Sequence, residues 1–138
     1  MASDQSPADS SVDTTVAQEA HEVSARLVAP TVAVLSPVGD VDSGTAGPLR
    51  AAIAEQVAAG ARHVVLDLSG VEFVGSAGLA LLIAEREAAI AREGELRLAG
   101  VPRTAGRALS LTGLTELFDT YPDVDAAAAD LGAAPPHG

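Results

Sequence analysis

Apolar and polar positions alternate at Val23, Ala25 and Leu27, break at Ala29-Pro30, and resume from Thr31 to Val38 with Val32, Val34 and Leu35. A period of two on either side of a Pro predicts two β-strands joined by a tight turn. After Gly39-Asp40-Val41-Asp42 a Ser/Thr/Gly loop leads into Pro48, which a helix tolerates in its first turn. Leu49, Ile53 and Val57 then recur every fourth residue until Gly60, the spacing of an amphipathic helix. Val64-Val65-Leu66-Asp67-Leu68 is a short β-branched run of the kind found in buried central strands. A second helix is predicted from Ala77 to Glu93, with Leu79, Leu82, Ile83, Arg86 and Ile90 on one side and Gly94 as the residue that ends it. Leu96 and Leu98 alternate with charge as a further strand, and a third helix runs from about Arg103 to Thr112, closed by Gly113. Phe118 to Tyr121 reads as a last short strand, and Asp123 to Leu131 as an Ala-rich helix capped by Asp123 or Asp125.

Strands alternating with helices predict a single α/β domain over residues 21–131, with a mixed sheet of about four or five strands covered by about four helices. Residues 1–20 are Ser, Asp and Ala with almost no large apolar side chains, and are expected to form a disordered acidic tail. Residues 132–138 are expected to be a flexible Pro/Gly tail.

Composition narrows the chemistry. The 138 residues allow one ordinary domain, and with one Tyr, two Phe and no Trp its core must be built from Val, Leu, Ile and the 29 Ala. The absence of Cys removes disulfides, zinc ribbons, iron–sulfur sites and thiol nucleophiles. All eight cations are Arg, so no lysine is present for a Walker A loop, a Schiff base or general-base work. The net charge of −11 is uneven: residues 1–25 hold five acids and no Arg, residues 119–138 four acids and no Arg, and the middle ten acids against eight Arg. Without a basic stripe or interleaved aromatics, nucleic acid is not an expected partner, and a protein is. Asp4, Asp9 and Asp13 interrupt any secretory h-region, and the longest apolar run, Gly78 to Ala84, falls far short of the roughly 20 residues that span a bilayer. A cytoplasmic protein without membrane contact is expected.

Few residues remain that can carry chemistry. His21, His63 and His137 are scattered, and the Asp40-x-Asp42 pair on a loop reads better as solvated or turn-forming carboxylates than as ligands, so no metal and no cofactor are expected. Gly75-Ser76-Ala77-Gly78 invites comparison with the G-x-S-x-G nucleophile elbow, but Val74 breaks the match and the only His downstream is His137 in the tail. Two readings of Ser76 follow from its place before a helix. It is a helix N-cap, stabilising by about 1 kcal/mol, which the residues alone favour. Or it is an exposed hydroxyl between Gly75 and Gly78, where helix N-terminal N–H groups would accommodate a phosphate of about −1.5 to −2 charge.

Val65 to Leu79 (VLDLSGVEFVGSAGL) resembles the signature of the STAS domain family, the sulfate transporter and anti-sigma factor antagonist domains. Gly39 to Ala46 (GDVDSGTA) is similar to that family's second loop and Leu109 to Phe118 (LSLTGLTELF) to its third helix, so the likeness extends from about Ser24 to Leu131. The resemblance implies a STAS-like fold and the partner switching of stand-alone bacterial members. There an unphosphorylated antagonist binds a kinase-type anti-sigma factor and frees the sigma factor. The kinase, using ATP, then phosphorylates the antagonist on one serine and releases it, and a phosphatase resets it. Ser76 matches that serine, Asp42 the loop carboxylate beside it, and Thr45 the polar residue opening the first helix. A partner-binding surface of Asp42, Thr45, Gly75, Ser76, Ala77 and Gly78 is thereby implied, on a protein that is no enzyme. The family usually has Asp immediately before the acceptor serine, where this chain has Gly75. The alternative is a non-phosphorylated STAS scaffold subunit of a signalling or lipid-transport complex.

Overall fold

A computed structural model of the chain describes residues 23–131; both expected tails, with His21 and His137, lie outside the described residues. The strands are β1 (Val23–Ala29), β2 (Val32–Pro37), β3 (Gly39–Val41), β4 (His63–Asp67), β5 (Val71–Val74), β6 (Leu96–Ala99) and β7 (Asp119–Tyr121). The helices among the described residues are α1 (Ala46–Ala58), α2 (Ser76–Ala91), α3 (Arg103–Leu111) and α4 (Val124–Ala128), with a 3-10 turn at Thr115–Leu117. The main sheet is five-stranded and mixed, in the order β1-β2-β4-β6-β7, with only β1 antiparallel to its neighbour.

Val32 to Leu35 are fully buried, and successive side chains enter different layers, as the period of a strand requires. Ala33 and Leu35 join Leu49, Ile53, Val64, Leu66, Leu81 and Leu98 in the larger core, whereas Val32 and Val34 join Val65, Ala99, Ala127 and Leu131 beneath α4. Each Val or Leu buried this deeply contributes about 1.5–3 kcal/mol relative to an exposed one, which is why the central strands are apolar on both faces.

Several elements differ from expectation. Gly39–Val41 is not loop but a strand, pairing in parallel with the unpredicted β5 to make a separate two-stranded sheet. These are the chain segments that continue β2 and β4, so the small sheet extends the main one beyond its carboxyl end. The final helix covers only Val124–Ala128, and Asp123 is its cap, accepting the Ala126 N–H at 2.8 Å. The buried stripe of α2 is Gly78, Leu81, Leu82 and Ala89, while Ile90 is 57% exposed. At that helix's end the left-handed residue is Glu93 (φ 60°), whose N–H donates to Ile90 and is followed by Gly94 donating to Ala89. Gly94 is needed for another reason: a Cβ there would collide with the Arg62 carbonyl.

Candidate functional site

The site is built by the two loops that leave the small sheet. In the first, β3 ends at Val41 and the chain turns at Asp42, whose carbonyl accepts the N–H groups of Thr45 (3.1 Å) and Ala46 (2.8 Å). Thr45 occupies the N-cap position of α1, but its hydroxyl turns back, donating to the Asp40 carbonyl at 2.7 Å and accepting the Asp42 N–H at 2.8 Å. The Asp42 carboxylate accepts the Gly44 N–H at 3.0 Å through Oδ1. Thr45 thus clamps the turn from within.

In the second loop, Gly75 follows β5 and donates its N–H to the Val41 carbonyl at 2.8 Å, carrying the β3–β5 pairing one residue further. Gly75 is the N-cap of α2 and contributes no side chain to it. The expectation that Ser76 caps the helix is therefore corrected. Ser76 is the first helical residue, exposed, and its hydroxyl makes no hydrogen bond among the described residues. The N–H groups of Ser76, Ala77 and Gly78 begin the helix and have no carbonyl behind them to accept, so the first turn presents free donors where the Ser76 side chain emerges.

The two loops touch at Asp42 and Gly75: a Cβ on Gly75 would stand 3.4 Å from the Asp42 Cβ. Asp42, Gly75, Ser76 and the half-buried Ala77 are brought together in this way. Thr45 and Gly78, also expected on the partner-binding surface, are buried beneath it. A Cβ on Gly78 would approach the Val41 carbonyl to 2.5 Å and Val74 Cγ1 to 2.9 Å, so the missing side chain is what lets α2 sit directly on the small sheet.

Two residues of this surface lie within the motifs but have no assigned part in them. Asp40 and Phe73 are register partners across β3 and β5 and both are exposed, on the face of the small sheet turned away from the buried Val41 and Val74. Glu72, the residue before Phe73 on β5, alternates to the other face of the strand, and its carbonyl accepts the Thr104 hydroxyl of α3 at 3.0 Å. Asp40, Asp42 and Glu72 form no ion pair among the described residues. The signal that would have found Phe73 is an aromatic in a segment otherwise too short to have an inside.

His63 is at the other end of the strands from Ser76. Its Nδ1 accepts the Glu95 N–H at 3.1 Å, and burial, then the Arg62 charge, push its pKa below the ordinary imidazole value against the pull of Glu95. Among the described residues no three His, Cys, Asp or Glu side chains group as metal ligands would, and no helix is long and apolar enough to cross a membrane.

Residues 25–127 match the STAS domain family. The chain is 39% identical over 94 residues to the anti-sigma-F factor antagonist RsfB of Mycobacterium tuberculosis, an alignment covering 67% of this chain and 77% of RsfB. Its fold is similar to the crystal structure of an anti-sigma factor antagonist from Mycobacterium paratuberculosis, with a TM-score of 0.69 at 34% identity, over 79% of this chain and 92% of that one. The unphosphorylated form of the anti-sigma factor antagonist SpoIIAA shares the fold at 16% identity, with a TM-score of 0.69 over 83% of this chain and all (100%) of SpoIIAA.

Proposed function

This chain belongs to the STAS domain family, and from that premise we propose that it is an anti-sigma factor antagonist, a regulatory binding protein of the cytoplasm rather than an enzyme. In this reading the unphosphorylated chain binds a kinase-type anti-sigma factor through the loops at Asp42 and Ser76, the kinase transfers the γ-phosphate of ATP to the Ser76 hydroxyl, and the phosphorylated chain is released until a phosphatase restores it. The observation that carries the proposal is the state of Ser76: exposed, unbonded, on the first turn of α2 and one residue from the contact between Gly75 and Asp42.

The chemistry of that position supports a switch that leaves the fold alone. A phosphate on Ser76 adds about −1.5 to −2 charge beside free helix N–H groups, which favour it in the unbound domain. A partner docked over the same surface would have to bury that charge next to Asp42, at a cost of several kcal/mol and about two or more decades of affinity.

The test is titration calorimetry against purified kinase-type anti-sigma factors of the same organism, with mass spectrometry after addition of ATP. Ser76 is expected to be the one phosphorylated residue. Ser76→Asp is expected to bind at least about 100-fold more weakly with unchanged circular dichroism, and Ser76→Ala to bind whether or not ATP is present. Phosphate on Ser43 or Thr45 with Ser76 bare overturns the site assignment. Equal affinity for the wild type, Ser76→Asp and ATP-treated protein replaces the switch with the non-phosphorylated scaffold, the reading that Gly75 favours by standing where the family usually has Asp.

A further inference from the structure

The chain's two phenylalanines are used in opposite ways. Phe118 is in the core, whereas Phe73 is 53% exposed in the middle of the small sheet's outer face. An aromatic side chain offers about 150–250 Å² of surface, and such rings anchor interfaces because they bring area at little cost in conformational freedom. The Phe73 ring does not stand away from the protein. It leans toward α2, with Cε2 only 3.2 Å from where a Cβ on Gly75 would be.

Gly75 itself has extended backbone angles (φ −89°, ψ −176°), which any residue adopts. Its lack of a side chain is therefore not a backbone requirement; what it supplies is room. Through that room the ring, the Gly75 Cα and the Asp42 Cβ make one apolar ledge that ends at Ser76. The charges around the ledge are the carboxylates of Asp40, the register partner of Phe73, and of Asp42, neither in an ion pair among the described residues.

We propose that Phe73, folded over Gly75, is the anchor by which an anti-sigma factor recognises this chain, its ring entering an apolar pocket rimmed by Arg or Lys. The proposal rests on the antagonist reading and specifies the contact beside its switch residue. The cationic rim follows from charge: docking the ring removes water from the two carboxylates beside it, Asp40 and Asp42, and opposing cations compensate that loss. Proximity to Ser76 gives the anchor a part in release, since the pocket that takes the ring must close over the neighbouring hydroxyl and cannot do so over a phosphate.

The experiment is calorimetric titration of wild type, Phe73→Ala, Phe73→Leu, Gly75→Asp and the Phe73→Ala/Gly75→Asp double variant against the anti-sigma factor that binds the wild type, with thermal melting of each. Phe73→Ala is expected to weaken binding about 30-fold or more with little change in melting, because the ring is half exposed. Phe73→Leu recovers part of the loss. Gly75→Asp introduces a better N-cap residue, so the helix is not weakened, yet displacing the ring lowers affinity about tenfold. In the double variant the Gly75→Asp effect disappears, since there is no ring left to displace. Wild-type affinity for Phe73→Ala, in a protein whose Ser76→Asp variant does not bind, overturns the anchor alone. Full additivity in the double variant overturns the pairing of Phe73 with Gly75. Failure of the wild type to bind any anti-sigma factor of its organism overturns the antagonist reading and the anchor together.

Discussion

Arg97 lies on β6 of the main sheet and Ser76 at the start of α2, beyond the small sheet, and the protein treats them in opposite ways. Arg97 is 6% exposed and fully engaged: its Nε meets Glu95 at 3.0 Å, its Nη1 meets Asp130 at 2.5 Å and the Ala127 carbonyl at 3.0 Å, and its guanidinium lies 5.1 Å from the Tyr121 ring centroid. Burial works against its charge, but the hydrogen bonds to Asp130 and Glu95 outweigh it and hold the pKa above the ordinary value for arginine. Ser76 has none of this. Near it, burial falls on Thr45 and Gly78, which shape the loops, while the hydroxyl is left free. A polar group that holds a fold together is enclosed and satisfied, because a buried charge is costly unless each of its donors is met. A polar group that is to be modified and read by a partner must be accessible and uncommitted.

The largest effect that could break this contrast is expected at Arg97. Arg97→Ala removes the tie between β6 and α4 and opens space beneath Tyr121, and should destabilise the domain by about 2–4 kcal/mol, lowering its melting temperature by roughly 10 °C or more. Affinity for the partner, measured well below the melting point, should not change. A loss of binding without a loss of stability would mean that the amino end of the strands also touches the partner, and the division of labour would fall.

A smaller effect at the same end is a dependence on acid. The folded-state pKa of His63 is below its ordinary value, first because burial disfavours the imidazolium and then because Arg62, Arg97 and Arg92 oppose it, with Glu95 favouring it. The unfolded chain therefore takes up the proton first as pH falls. The stability that neutral His63 contributes is present above about pH 6.5 and is lost as pH descends through the lowered value. Because the ring is partly solvated, the loss should be less than about 1 kcal/mol between about pH 7 and pH 5. Urea denaturation of wild type and His63→Gln at the two pH values checks the sign: the wild type should lose more stability than the variant, and an equal loss removes His63 as the cause.

What could be read from the sequence, and what could not, divides along the same lines. Leu49, Ile53 and Val57 and the Val64–Leu66 run declared α1 and β4 because burial imposes its period locally, and Gly60 and Gly113 marked helix ends because each occupies a positive φ (118° and 75°). The resemblance carried by Val65–Leu79 and Gly39–Ala46 pointed to two loops that the structure brings into contact at Gly75 and Asp42. Strands of three and four residues are too short to show alternation, so β3 and β5 were silent, and with them the exposed side of Phe73 and Asp40. On α2 the apolar spacing pointed to Leu79, Leu82 and Ile83, which do face the core, but it also took in the exposed Ile90 and passed over Gly78 and Ala89, whose burial depends on close approach to residues far away in the chain, such as Gly78 to Val41. Gly94 invited the role of helix terminator, yet the space at Arg62 claimed it and left the left-handed position to Glu93. Which of Gly75 and Ser76 caps the helix is likewise settled at a distance, by the hydrogen bond from Gly75 to Val41.

That last point yields the smallest effect and the finest test of the contrast. If Ser76 were the N-cap, replacing it by Ala would remove a hydrogen bond and cost about 1 kcal/mol. In the structure its hydroxyl holds nothing, the position is the first of the helix, and Ala is at least as good a helix former there. Ser76→Ala should therefore change stability by no more than about 0.5 kcal/mol in either direction, a shift of only a few degrees in melting temperature by scanning calorimetry. Two positions on, Gly78 cannot accept the same methyl without pushing it against the Val41 carbonyl, so silence at Ser76 would not reflect a tolerant helix end. A loss of 1 kcal/mol or more in Ser76→Ala, judged against the typical N-cap value of about 1 kcal/mol, would mean that the hydroxyl is committed to the helix after all. A committed hydroxyl would have to give up that bond before it could attack a phosphate, and Ser76 would lose the freedom that distinguishes it from Arg97.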